Sequence, residues 1–216
     1  QMSASTWLMQ ENPERALEIS SKGMAYARAH GLTPESLLIV NLARTHAEIL
    51  GNIGRAGEAV DLLRQTIAVQ EQSAGLRGIR AGNLFNALGN ALNIQGHYRE
   101  ALEALQRADL LYAPSMTSDV ETAASLGNIG NVMESAGDYA GALRNFDAAI
   151  VLLEKDAANQ AAARKMRRSR ARTLGLAGRH EEALEALTTL RAEERREEGV
   201  ASPSYAITTW QLAVLA

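Results

Sequence analysis

Gly137-Asp138-Tyr139-Ala140-Gly141-Ala142-Leu143 decides the reading of this chain, because its pattern occurs four times. The other copies are Gly54-Arg55-Ala56-Gly57-Glu58-Ala59-Val60, Gly96-His97-Tyr98-Arg99-Glu100-Ala101-Leu102 and Gly178-Arg179-His180-Glu181-Glu182-Ala183-Leu184. Their glycines are 42, 41 and 41 residues apart. An earlier copy, Glu11-Asn12-Pro13-Glu14-Arg15-Ala16-Leu17, lacks the Gly. Working outward, seven residues before each Gly stands a small residue (Ala47, Gly89, Gly130, Ala171). Four before it stands a large apolar one (Leu50, Leu92, Met133, Leu174), and nine after it another (Leu63, Leu105, Phe146, Leu187). Columns that stay in phase at a fixed period mark an internal repeat.

Each copy reads as two helices. In 121–136, Leu126, Ile129, Gly130 and Met133 recur at helical spacing. Ser118 and Glu121 form a capping box that starts this helix, and Gly137 ends it. The second helix, 139–155, carries Ala142, Leu143, Phe146, Ala149, Ile150 and Leu153 on one stripe. Small residues let the two helix axes approach closely. Ten of the 17 Gly fall at predicted helix ends, Gly51, Gly57 and Gly75 among them. The predicted fold is all-α, a right-handed α-α superhelix of antiparallel helix pairs. The predicted units are a half repeat 1–31, repeats 32–75, 76–115, 116–156 and 157–199, and a partial repeat 200–216. Trp7–Gln10 reads as the end of a helix begun earlier, and 202–216 as the first helix of a further pair. The chain is therefore expected to be a piece of a longer protein.

The small residue, the large apolar residue, the turn Gly and the following Ala resemble the signature columns of the tetratricopeptide repeat (TPR) family. Tyr98 and Tyr139 match its turn aromatic. The family's usual period is about 34, so the longer spacing is similar to the variant in kinesin light chains, peptide-pheromone sensors of Gram-positive bacteria and arms of bacterial transcription regulators. The resemblance implies a module that binds proteins or peptides.

Composition agrees and excludes other classes. Of 216 residues, 46% are hydrophobic and only 4% aromatic, with no Cys. A disulfide scaffold, a thiolate metal site and a Cys nucleophile are ruled out. No apolar run is long enough to span a membrane, and no signal peptide is visible. The expected compartment is the cytoplasm. A net charge of −3 argues against a surface built for nucleic acid. The four His (30, 46, 97, 180) do not pair at metal-ligand spacing, and no P-loop, GxSxG or HExxH is present. A non-enzymatic chain without metal or cofactor is expected.

The binding candidates lie on the first helix of each pair. Asn83, Asn86, Asn90 and Asn93 share a face roughly 130° from the core. The matching columns hold Asn41, Arg44 and Glu48, then Asn131 and Glu134 with Asn128 beside them, then Lys165, Arg168 and Arg172. Seven of eleven Asn fall on this surface. Asn costs up to about 0.7 kcal/mol against Ala in a helix, but its carbonyl and amide match a peptide main chain. The resemblance implies groove Asn that hold peptide backbone. The alternative is that these Asn bond to neighbouring repeats or water.

In the stretch 164–172 six of nine residues are basic. Lys165, Arg168 and Arg172 are expected to face the groove and bind acidic groups. Arg164, Arg167 and Arg170 are expected elsewhere; Arg167 and Arg170 fall in columns that are apolar in the other repeats, so either this helix packs loosely or their stems cover the core with heads in water. The alternative is pairing with Glu181, Glu182 and Glu185 of the next helix, or simple solvation. The run 193–198 reads as a solvated face. Three functions remain: a peptide-binding groove, a regulatory or sensor arm of a larger protein, and a scaffold that dimerises through uncapped apolar ends.

Overall fold

A computed structural model of the chain describes residues 12–33, 36–73, 78–112 and 119–215. Trp7–Gln10, Gly75 and the Ser118 cap lie outside them. The chain groups into two compact units, 1–116 and 117–216. Among the described residues the first unit holds α1 (Pro13–Ala29), α2 (Leu37–Asn52), α3 (Ala56–Ser73), α4 (Gly78–Ile94) and α5 (Tyr98–Tyr112). The second holds α6 (Asp119–Ser135), α7 (Tyr139–Leu153), a 3-10 turn at Ala157–Asn159, α8 (Gln160–Leu176), α9 (His180–Glu197) and α10 (Pro203–Leu215).

Local chemistry sets the helix boundaries. The Ser36 side chain accepts from the Ile39 amide at 3.3 Å, and Asp138 accepts from Gly141 at 2.8 Å. Both satisfy amides that the first turn leaves without partners. At the other end Gly137 adopts φ +83°. Its N–H bonds Glu134 O, and the Asp138 N–H reaches back to Met133 O. This crossed pair terminates the helix and needs a left-handed residue. The same pair of bonds recurs at Gly54, Gly96 and Gly178, so the repeated glycine is a repeated stop. Gly51 and Gly57, expected at helix ends, are the penultimate residue of α2 and the second residue of α3.

Within each repeat the first and second helices pack side by side, α2 on α3, α4 on α5, α6 on α7 and α8 on α9. The small column is where they meet. A Cβ on Gly89 would sit 2.8 Å from Leu105 Cγ and 3.1 Å from the Ala101 carbonyl. One on Gly130 would sit 2.9 Å from the Phe146 ring. Leu105 and Phe146 are the apolar column nine residues after the turn, and both are buried. Gly82 does the same work, since a Cβ there would strike Tyr112 at 2.5 Å, whereas Gly127 and Gly175 admit Met166 and Leu215 from the first helix of the next repeat, each 2.7 Å from where a Cβ would sit. Few aromatics are needed because backbone fills space that rings would otherwise take. Ala59, Ala101, Ala142 and Ala183 all lie fully buried.

Candidate binding face

The first helices of neighbouring repeats also touch, α2 against α4 in one unit, and α8 against α6 and α10 in the other. Between α2 and α4 lies a cleft of about 390 Å³. Ala47, Glu48, Gly51 and Asn52 form one wall, and Ala87, Asn90, Ala91 and Ile94 the other. Gly51 opens it: even a methyl group there would approach Ile94 Cδ1 to 3.2 Å.

The register place of Gly51 is taken by Glu134 in α6. Glu134 accepts from the Thr173 hydroxyl at 2.5 Å and pairs with Arg172 at 2.8 Å. Side chains thus join α6 to α8 where α2 and α4 leave a gap. In α8 the same place returns to Gly175, and a cleft of about 300 Å³ reopens. Arg172, Leu176, Trp210, Gln211, Val214 and Leu215 line it with Gly175. This second cleft is apolar, and Leu176, Trp210 and Val214 stay exposed.

The sequence of this chain matches the family model of the tetratricopeptide repeat over residues 122–155, which is α6 and α7. No curated protein matches in sequence. Among solved structures, a kinesin light chain-like protein of Podosopora anserina with nearly identical TPR-like repeats superposes with a TM-score of 0.68. It is 20% identical, over 89% of this chain and 92% of that one. BtubC (BKLC) from P. vanneervenii gives 0.71, at 14% identity over 94% and 83%. A Rap protein complexed with competence and sporulation factor gives 0.71 at 17% identity, over 98% of this chain but 62% of that one. Residues 122–155 are thus similar to a tetratricopeptide repeat, and the chain shares the fold of these TPR-like structures. The fold is all-α, and antiparallel helix pairs are its unit.

The TPR register places the predicted residues, and many prove engaged. Asn83 accepts from the Tyr112 hydroxyl at 2.8 Å, joining α4 to α5. Asn86 and Asn128 also have partners. Asn131 accepts weakly from Arg172 at 3.5 Å. The Asn93 Oδ1 is buried without a hydrogen bond to any described residue. Arg44 pairs with Glu48 at 3.3 Å along α2. Asn41, Asn90 and Lys165 are exposed. Asn52, which the face pattern missed, joins Asn90 at the α2–α4 cleft. Its position one turn after Glu48 was the available signal.

The basic segment needs a correction. Arg168, expected in the groove, is mostly buried against α9 and pairs with Glu194, which has no exposed surface. Arg164 meets Glu197 at 2.5 Å and Glu198 at 2.9 Å. Arg167 meets Glu193 at 2.8 Å, and Arg170 meets Asp147 at 2.5 Å. The heads therefore reach carboxylates rather than water. The partners of Arg164, Arg167 and Arg168 are in the run 193–198, not Glu181, Glu182 and Glu185. α8 and α9 run antiparallel about the Gly178 turn, which sets the start of α8 against the end of α9. A pair such as Arg168–Glu194 adds little net stability but specifies which helix packs where.

Electrostatics elsewhere is local. Exposed Arg55 and Arg179 each fork onto the carboxylate three residues on, holding Glu58 and Glu182 below the usual carboxylate range. His46 is pushed below its usual value, first by burial, then by Arg55, with Glu58 opposing. Its Nδ1 lies 2.8 Å from Ser20 Oγ, whose own proton goes to Leu17 O. Nδ1 therefore donates, and the ring links α1 to α2.

Proposed function

We propose that this protein is a non-catalytic binding module that holds an extended segment of a partner along its first helices. The supporting observation is the α2–α4 cleft, where the exposed Asn90 and Asn52 amides border apolar ground and bond to no other described residue. Amides in such a place match the alternating C=O and N–H of an extended main chain. Asn41 belongs to the same face. The absence of Cys suits the cytoplasm.

The test is selection of random displayed peptides on the full chain, followed by affinity measurement with Asn90→Ala. Loss of one paired amide is expected to weaken binding about fivefold. Selected peptides that bind Asn90→Ala and the Asn52→Ala, Asn90→Ala double variant as well as the parent would sink the assignment.

A second reading, a sensor arm of a larger bacterial signalling protein, is favoured by the Rap neighbour, of which the chain spans 62%. That Rap protein is complexed with competence and sporulation factor. A peptide selected as above, added to the complete gene product, would change its activity on this reading and leave it unchanged otherwise.

A further inference from the structure

The charges on the first helices leave an uneven remainder. Arg164, Arg167, Arg168, Arg170 and Arg172 each pair with a carboxylate of a neighbouring helix. Of the three cations that suggested an acidic ligand, Arg168 and Arg172 are thus already neutralised, while Lys165 stays exposed on α8 and does not line the α2–α4 cleft. In the α2–α4 cleft the one charged lining group is a carboxylate, Glu48. Its ion-pair partner among the described residues is Arg44, through a single 3.3 Å contact from Nη1 to Oε1. Both side chains are substantially exposed, and such a pair is worth little and exchanges readily. The Oε2 oxygen faces no donor among the described residues.

The ground around that carboxylate has a specific shape. Ala47, Ala87, Ala91 and Ile94 supply apolar surface, and the side-chain amides of Asn52 and Asn90 stand at the rim. A long aliphatic stem with a cation at its tip matches such a surface: the stem covers the alanines and isoleucine, while the head meets Glu48 and the amide oxygens. An acidic side chain would meet Glu48 as a like charge. A purely apolar one would strip water from Glu48 and the amides without replacing their hydrogen bonds.

We infer that the α2–α4 cleft is a subsite for a lysine or arginine side chain of the bound segment. This rests on the peptide-binding reading and adds to it the sign of the ligand's charge. The subsite is confined to this cleft, because the register place of Glu48 holds Asn131 in α6 and Arg172 in α8.

The test uses the displayed peptides selected on the full chain. They are expected to be enriched in Lys and Arg. A selected Lys peptide is expected to bind Glu48→Gln about tenfold more weakly, the order set by one charge-assisted hydrogen bond. Replacing that Lys by norleucine is expected to weaken binding to the parent equally, while Glu48→Gln gains nothing from the Lys. Because Glu48 is exposed, a matching circular dichroism spectrum for Glu48→Gln serves as the folding check. Pools without basic enrichment, or Lys peptides indifferent to both changes, overturn the subsite. If those peptides still lose affinity with Asn90→Ala, the peptide-binding reading stands and only the cation preference falls. If no peptide is selected, both fall together.

Discussion

In the first unit α4 and α5 meet through Gly82 and Gly89, the rings and branches of Tyr112 and Leu105, and the neutral bond from Tyr112 to Asn83. In the second unit α8 and α9 occupy the same place in the repeat, and Arg164, Arg167 and Arg168 span them to Glu197, Glu193 and Glu194. The α4–α5 contact thus rests on steric fit and a neutral bond, whereas the α8–α9 contact adds three ion pairs to its apolar packing. Ion pairing uses up the side chains that looked most like ligand contacts, whereas steric fit leaves its polar face open. The open amides and the unsaturated carboxylate accordingly lie in the first unit.

The sharpest way to break this contrast is Glu194→Ala. It would leave Arg168 nearly buried and unpaired, and urea unfolding should show a loss of about 3–5 kcal/mol. The same truncation at Glu100, which pairs with Arg64 at 2.7 Å on the exposed surface of the first unit, should cost about 0–1 kcal/mol. Equal losses would mean that burial does not separate the two sets of pairs.

A smaller effect tests the steric side. Gly89→Ala gains helix propensity but forces a methyl against Leu105 and the Ala101 carbonyl, so a net loss of about 1–3 kcal/mol is expected. Gly51→Ala meets only the flexible end of Ile94 at 3.2 Å and should be near neutral or stabilising, since Ala exceeds Gly by about 1 kcal/mol in helices. Thermal or urea unfolding distinguishes them, and a neutral Gly89→Ala would contradict the close approach.

The smallest effect is in pH. His46 has its folded-state pKa depressed below the ordinary 6.5, so the unfolded chain binds the proton more readily. Stability from neutral His46 is present above that pH and declines as pH falls through it. The melting temperature of the parent should drop more between about pH 7.5 and about pH 5.5, which bracket the ordinary histidine value, than that of His46→Gln. Parallel curves would show that His46 is not the titrating group.

Much of this was legible in the sequence. The turn glycines, the buried Ala and Leu columns and the helix pairs follow from periodicity, because each column has one packing role that every copy repeats. Of the face read from Asn83, Asn86 and Asn90, Asn90 lines the α2–α4 cleft while Asn83 turns to Tyr112 in α5. What remained hidden was occupancy. Periodicity places Arg168 at an angle on α8, but the partner depends on which carboxylate the antiparallel α9 brings opposite. The 193–198 run looked solvated because its partners lie 26–34 residues away. Asn83 looked like a ligand group until Tyr112 was seen to bond it. The Gly51–Glu134–Gly175 alternation, which opens and closes the clefts, lies outside the columns that define the repeat.

Hydrogen–deuterium exchange of the full chain with and without a saturating selected peptide is the most direct test of binding along the first helices. Added protection is expected in α2 and α4, around Glu48, Asn52 and Asn90, with α3 and α5 unchanged. Protection confined to α3 and α5 would contradict a binding face on the first helices.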